Sequence, residues 1–427
     1  MPLPAGRTPG RSRPSYLAAP PLLSESEPFE GADVLREHPG ALGALLWKSL
    51  RDVTAWTEAA QDDRPALFNA AAAQARAAEV AACGAEPELW APLLVIAQLL
   101  RCPGDVDYAR LVNACRAAAR WGERRGFTAV QLGFTQAAAR LAPAHPRLAY
   151  AVGRLSRDRG EYARAETWLR ASIRLARGTD WHTYALAYLS LGTLYQQLGN
   201  LPAARAVTER GLRTTVRRRL RRLEGTAYHN LCVLAGESGD YAGAQRCASA
   251  ALQRYGAGHP RLPALAYDLG LVWFLCGYFD RALPVFEAVL AHMPESVERA
   301  MGLANTARAA AGAGDRVRFE RYWMQADCAL ATCEVQPAVA EGWLALARGA
   351  VLAGDAGRAQ AAAARAGEIA AALRLAQLRF EADAVLESAR TTVILPPPRD
   401  AEGERVFREA GELATRMVQS LALVPGA

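Results

Sequence analysis

The sequence has almost no lysine, no paired cysteine motif and no long apolar run, and each absence excludes a class of protein. Of its 50 basic residues only Lys48 is a lysine, so arginine carries the positive charge. The eight cysteines are scattered without a C-x-x-C pair, which argues against the usual zinc and dithiol motifs. The longest mainly apolar stretch, 89–100, is shorter than the roughly 20 residues of a membrane helix and contains Pro92. We therefore expect no membrane span, and reduced cysteines in a cytoplasmic protein.

Recognised catalytic motifs are also missing. The sequence has no H-E-x-x-H, no G-x-x-x-x-G-K-[ST] and no G-x-S-x-G. None of the six histidines is spaced for a helical metal site. Cys328 and Cys333 are five residues apart, a spacing that does not place both thiols on one side of a helix. We therefore predict that the protein is not an enzyme and needs no metal or cofactor.

The charge is only moderately basic, at +7 with 43 acidic residues spread along the chain, and does not require a nucleic-acid partner. The sharpest feature is the run RRRLRR at 217–222. It could bind nucleic acid or an acidic protein, or it could be the solvated end of a helix, where arginine interacts favourably with the backbone dipole. We do not expect nucleic acid as the partner, and what this run binds is left open.

Alanine is abundant, and the chain is 51% hydrophobic with few β-branched runs. This composition is typical of an all-α protein. At 427 residues it exceeds a single ordinary core. A glycine recurs between predicted helix pairs at intervals of 34 to 40 residues, at Gly126, Gly160, Gly199, Gly239, Gly277, Gly314 and Gly354. Such regularity indicates a repeat array.

The clearest unit is the stretch 264–294, where two amphipathic runs flank Cys276 and Gly277. It resembles the tetratricopeptide repeat (TPR), whose pattern is W-x2-L-G-x2-Y…A-x3-F…P. The matching positions are held by Leu269, Gly270, Trp273, Ala282, Phe286 and Pro294, while Ala266 stands where the family prefers Trp. In this interpretation Gly270 and Ala282 lie where the helices cross, and the two aromatic rings fill the space between hairpins.

The resemblance implies an all-α, right-handed α-solenoid of stacked TPR hairpins with helical N- and C-terminal caps, similar to the longer variants of bacterial regulatory and scaffold proteins. We predict a disordered tail at 1–32, a helical region or cap at 33–106, a TPR array with a capping helix at 107–390, and a proline-rich linker with a last helix at 391–427. Within 33–106 we expect one helix from Ala41, a second beginning near Pro65 and a third from about Glu86.

The family binds ligands along the concave side, which the first helix of each hairpin forms. Counting from each repeat glycine predicts a mixed face of amides, aromatics and arginines, suited to hydrogen-bonding a peptide backbone and pairing with acidic side chains. Its members are Tyr150, Arg154, Arg157, Ser190, Thr193, Gln196, Gln197, His229, Asn230, Tyr267, Asp268, Asn305, Arg308 and Arg348. The family's clamp of lysines and asparagines is not reproduced, so we do not predict capture of a C-terminal carboxylate.

The function predicted from these observations is a non-enzymatic scaffold or adaptor that holds a protein or peptide partner. The alternative is a TPR-containing transcriptional or signalling regulator that senses such a ligand, which would need an effector domain within 33–106. The sequence does not indicate the partner, the pathway or the oligomeric state.

Overall fold

The computed structural model describes residues 32–294, 296–388 and 401–425, and these residues are mainly helical. Within these ranges there are twenty α-helices, one 3₁₀ turn and no β-strand, which confirms the all-α prediction. The tail predicted over 1–32, apart from Ala32, and the linker predicted over 391–400 lie outside the described residues.

The chain forms two compact units, Met1–Thr214 and Thr215–Ala427, and their boundary falls within helix α10. The helices that begin in the first unit are α1 (Ala32–Glu37), α2 (Ala41–Glu58), α3 (Ala70–Ala82), α4 (Pro87–Arg101), α5 (Tyr108–Arg125), α6 (Thr128–Leu141), α7 (Pro146–Asp158), α8 (Tyr162–Ala176), α9 (Trp181–Gln197) and α10 (Leu201–Arg217). The second unit contains α11 (Arg221–Glu237), α12 (Tyr241–Tyr255), α13 (Leu262–Leu275), α14 (Phe279–Leu290), α15 (Val297–Gly312), α16 (Arg316–Thr332), α17 (Pro337–Leu352), α18 (Ala356–Ala372), α19 (Ala376–Ser388) and α20 (Ala401–Leu421). The predicted domain boundaries stay predictions.

The N-terminal helices belong to the core of the first unit. Helix α2 packs on α4 and α6, and Glu37 at the end of α1 accepts hydrogen bonds from the backbone N–H groups of Ala129 and Val130 at 2.9–3.0 Å. This carboxylate therefore satisfies free donors at the start of α6. The second predicted helix begins at Ala70 rather than near Pro65, because the Asn69 side chain accepts from the Ala72 N–H at 2.7 Å and caps the helix there.

The repeat glycines form the turns of seven hairpins. All seven have left-handed backbone conformations, with φ between 69° and 77°, which a residue with a Cβ adopts at a cost. In the Gly-Asp turns the aspartate N–H donates to the carbonyl five residues earlier, as Asp315 does to Ala310 at 2.9 Å, and its carboxylate accepts from the next helix, here from the Arg318 N–H at 2.9 Å. The pair thus ends one helix and caps the following one.

The hairpins pack as the resemblance implies. A Cβ on Gly270 would lie 2.6 Å from the Phe286 ring, and one on Gly153 would lie 2.8 Å from Leu169, so neither position has room for a larger residue. Phe286 and Trp273 are buried, and the Trp273 indole donates to Gln245 at 2.7 Å. Close backbone approach and aromatic filling therefore hold each hairpin together.

The C-terminal helix α20 packs against α12, α13 and α14 in the second unit. The Phe407 ring stands edge-on to the Tyr278 ring at 5.0 Å, and Gln245 donates to the Val406 carbonyl at 3.2 Å. Met417 and Leu421 are fully buried. We call the earlier helix of each hairpin its first helix and the later one its second helix; α20 thus contacts the second helices α12 and α14 and the first helix α13.

Candidate partner-binding face

All the predicted site residues lie on first helices, but they are divided between the two units. Residues from Tyr150 to Gln197 lie on α7 and α9 of the first unit, whereas those from His229 to Arg348 lie on α11, α13, α15 and α17 of the second. Most are partly buried, Gln197 is exposed, and Ser190, His229 and Asn305 are buried. We call this set the first-helix face and describe it unit by unit.

In the first unit two arginines share one acid. Arg157 and Arg154 lie 2.6 Å and 3.5 Å from the carboxylate oxygens of Asp158, and Arg157 also donates to the Ser190 hydroxyl at 3.4 Å. The Arg157 contact joins α7 to α9. Because one carboxylate faces two guanidinium groups, this part of the face keeps an excess of positive charge.

In the second unit two hydrogen bonds join consecutive first helices. His229 Nε2 lies 2.8 Å from Asp268 Oδ2 and joins α11 to α13, while Asn305 Nδ2 donates to the Tyr267 hydroxyl at 2.7 Å and joins α15 to α13. The Tyr267 ring stands edge-on to Phe286 at 5.5 Å, and burial raises the pKa of Tyr267 to about 12. Tyr267 is thus a neutral phenol over the physiological range, able to donate as well as accept.

The two predicted site arginines of the second unit, Arg308 and Arg348, differ in whether an acidic side chain pairs with them. Arg348 on α17 pairs with Glu381 on α19 at 2.9 Å. Arg308 on α15 stacks over the Phe274 ring at 4.5 Å, and among the described residues it has no hydrogen bond and no ion pair. Burial, assisted by the nearby charge of Arg348, lowers the pKa of Arg308 to about 10. It stays protonated at neutral pH.

Three acidic residues of this face were missed by the sequence prediction. Asp158 is four residues after Arg154, a helical spacing that could have indicated an ion pair. Glu381 lies on α19, beyond the last complete hairpin, where counting from a repeat glycine does not reach. Glu341 was passed over although it lies on α17; burial and the neighbouring Glu381 raise its pKa.

The arginine run 217–222 lies at the junction of α10 and α11, and its five arginines are exposed. Arg219 holds a left-handed conformation with φ of 54°, at a tight turn where the Leu220 N–H donates to the Thr215 carbonyl at 2.9 Å. The run therefore lies where one helix ends and the next begins.

Within the described ranges no three His, Cys, Asp or Glu side chains are grouped so as to hold a metal ion. All eight cysteines are free thiols, and burial raises the pKa of Cys115 to about 12. No described helix combines the length and the apolarity that crossing a bilayer would require.

Comparison with known proteins gives structural neighbours only. No protein-family pattern matches the chain, and no curated protein does. The structure is similar to a chain of the APC/C hetero-tetramer Cut9–Hcn1 (14% identity, 83% of this chain and 56% of that chain, TM-score 0.41), to the TPR2AB domain of yeast Sti1 (14%, 66% and 100%, 0.25) and to a Rap protein complexed with competence and sporulation factor (9%, 84% and 98%, 0.42). All three TM-scores are below 0.5, so these likenesses carry no evidence about partner or activity. The turn glycines, the Gly270–Phe286 contact and the buried Trp273 establish the architecture directly: the chain is a repeat protein built from stacked helical hairpins.

Proposed function

We propose that this protein is a non-enzymatic, cytoplasmic interaction scaffold that holds an extended segment of a partner protein along the first-helix face of its second unit. The observation that carries the proposal lies in the second unit. There α20 packs on α12, α13 and α14, and the first helices carry a row of hydrogen-bonded and charged side chains that runs from His229 to Arg348. A face on which partly exposed polar side chains such as Tyr267, Asp268 and Arg348 are held by hydrogen bonds suits an extended peptide, which needs hydrogen-bond partners for its backbone.

The chemistry of the face favours binding over catalysis. Its titratable groups are mostly paired within the fold, as His229 is with Asp268 and Arg348 with Glu381. Hydrogen bonds between successive first helices fix these side chains in advance, which reduces the entropy lost when a partner binds. A preorganised row of this kind explains recognition without requiring a reaction.

The test is to pan a phage-displayed library of random peptides against the full chain and to measure the affinity of recovered peptides by calorimetry. Tyr267→Phe removes only the hydroxyl group, and we expect it to weaken binding about fivefold, the effect of one net hydrogen bond of about 1 kcal/mol. Asn230→Ala on α11 should weaken binding comparably. Tyr162→Phe, which alters an exposed tyrosine of a second helix, is the matched control and should bind as the wild type does.

Circular dichroism should show the same helix content for all four proteins. Peptides whose affinity changes with Tyr162→Phe but not with Tyr267→Phe or Asn230→Ala would place the binding site elsewhere. Recovery of no binding peptide would remove the proposed function.

A further inference from the structure

Arg308 lies in contact with two neighbouring first helices. It lies one helical turn from Asn305 on α15, and its guanidinium is stacked on Phe274 of α13. On its other side α17 comes close, since a Cβ on Gly349 would lie 3.1 Å from the Arg308 Cα. The Arg308 guanidinium therefore packs against α13, and the backbone of Arg308 lies against α17.

Among the arginines of the first-helix face, only Arg308 has no carboxylate partner in the described part of the chain. Arg154, Arg157 and Arg348 each have a carboxylate within 3.5 Å. Arg308 has none in the described part of the chain, and its Nε atom is buried without a hydrogen-bond partner. Burying a charged group without an opposite charge costs free energy. An anion supplied by a ligand would recover part of that cost.

The surroundings favour a carboxylate. The guanidinium carbon of Arg308 lies 4.5 Å from the centre of the Phe274 ring, and its terminal N–H groups make no hydrogen bond among the described residues. A pair of such N–H groups matches the two oxygens of a carboxylate. The Tyr267 hydroxyl accepts from Asn305 and therefore keeps its own O–H for donation. Glu381 is already engaged by Arg348, so the second positive charge near Arg308 is largely compensated within the fold.

We propose that Arg308 is the anchor for an aspartate or glutamate side chain of the partner segment, which rests on the proposed function and specifies its partner as an acidic peptide. The carboxylate pairs with the terminal N–H groups of Arg308 while the peptide backbone follows the first-helix face.

The experiment uses the peptides recovered by panning against the full chain. Each acidic residue of a peptide is replaced in turn by its amide, and we expect one such replacement to weaken binding by about tenfold or more, as for a close charge pair. In Arg308→Met, which keeps an unbranched side chain over Phe274, the same replacement should have no further effect. Arg365→Met is the matched control: Arg365 also stacks on a ring, that of Trp343 at 4.6 Å, but lies on the second helix α18.

Further measurements separate the possible outcomes. A peptide with an amidated C-terminus should bind as tightly as the free acid, whereas a large loss would assign the carboxylate to the chain end and overturn the inference. Arg308→Met should leave the thermal stability of the free protein unchanged or raised, since it removes an unpaired buried charge; a clear fall in stability would instead give Arg308 a structural role.

The inference and the proposed function can also fail separately. If binding depends on Tyr267 but is insensitive both to every acidic residue and to Arg308→Met, the inference is wrong and the scaffold function stands. If panning recovers no peptide, both fall together.

Discussion

At the scale of single residues, the helix caps show how this chain uses charge. Asp180 precedes α9, and its carboxylate accepts from the Thr183 N–H at 3.0 Å, from the Thr183 hydroxyl at 2.8 Å and from Arg147 at 3.0 Å. Burial acts to raise the pKa of Asp180, but these hydrogen bonds outweigh it and bring the pKa down to about 2. The ionised form is thus favoured by folding.

The sign of the pH dependence follows from that shift. The pKa is lower in the folded chain than the usual value near 3.9, so Asp180 stabilises the fold above about pH 4 and loses this contribution as the pH falls toward about 2. We predict that Asp180→Ala costs about 1 kcal/mol of unfolding free energy at pH 7, and less near pH 3. Urea unfolding across this range is the measurement.

Asn200→Ala is the control, because the uncharged Asn200 side chain caps α10 by accepting from the Ala203 N–H at 3.2 Å. Its cost should not change with pH. If the losses of unfolding free energy caused by Asp180→Ala and by Asn200→Ala decrease equally as the pH is lowered, the pH dependence does not arise from the Asp180 carboxylate.

At the scale of helices, close crossing decides which residues are permitted. Gly270→Ala places a methyl group 2.6 Å from the Phe286 ring, whereas Gly367→Ala on α18 places one 3.8 Å from the Ala382 Cβ, an ordinary contact. We predict that the first substitution costs about 1–3 kcal/mol through overpacking. The second should be neutral or stabilising by up to about 1 kcal/mol, because alanine is the better helix former.

Chemical denaturation of the two variants beside the wild type provides the comparison. Both substitutions make the same change of residue inside a helix, so helix propensity acts equally on both. Equal stability of the two variants would mean that α13 and α14 are not as close in solution as the Gly270–Phe286 contact indicates.

At the scale of the whole molecule, the array does not end with its last hairpin. After α19 the chain returns as α20 to the second helices of earlier hairpins in the same unit, where Met417 is fully buried. We predict that Met417→Ala costs about 2–5 kcal/mol of unfolding free energy through the cavity it leaves. Arg408→Ala, on the exposed side of the same helix, should change stability by less than about 0.5 kcal/mol.

Both changes replace a long side chain with alanine in α20. The difference between their unfolding free energies therefore measures the packing of α20 on the rest of the unit and not the formation of the helix. Equilibrium unfolding followed by circular dichroism measures it. If Met417→Ala were as mild as Arg408→Ala, α20 would not be docked in solution.

The local structure could be predicted from sequence because each repeat carries its own signals. Glycine at the turn, aspartate as the next cap and a small residue at the helix crossing are neighbours in sequence, and their physical requirements are local. The start of α3 was misplaced for a local reason as well: Pro65 has the residue type of a first turn, but the Asn69 cap five residues later prevails. The candidate face could be assigned to first helices, since each hairpin repeats the same register.

Only the tertiary structure decided how the residues of that face are used. His229 and Asp268 are 39 residues apart in sequence, and Arg348 and Glu381 are 33 apart, so their pairing depends on how successive hairpins stack. The same stacking buries Arg308 without an acid and brings α20 onto α12 and α14. By itself the sequence determined the hairpins, because their turns and crossings are encoded within about 40 residues. Contacts between hairpins decided which arginines pair with an acid and which helices α20 packs on. No local pattern could predict these contacts, because none specifies the distance between two side chains on different repeats.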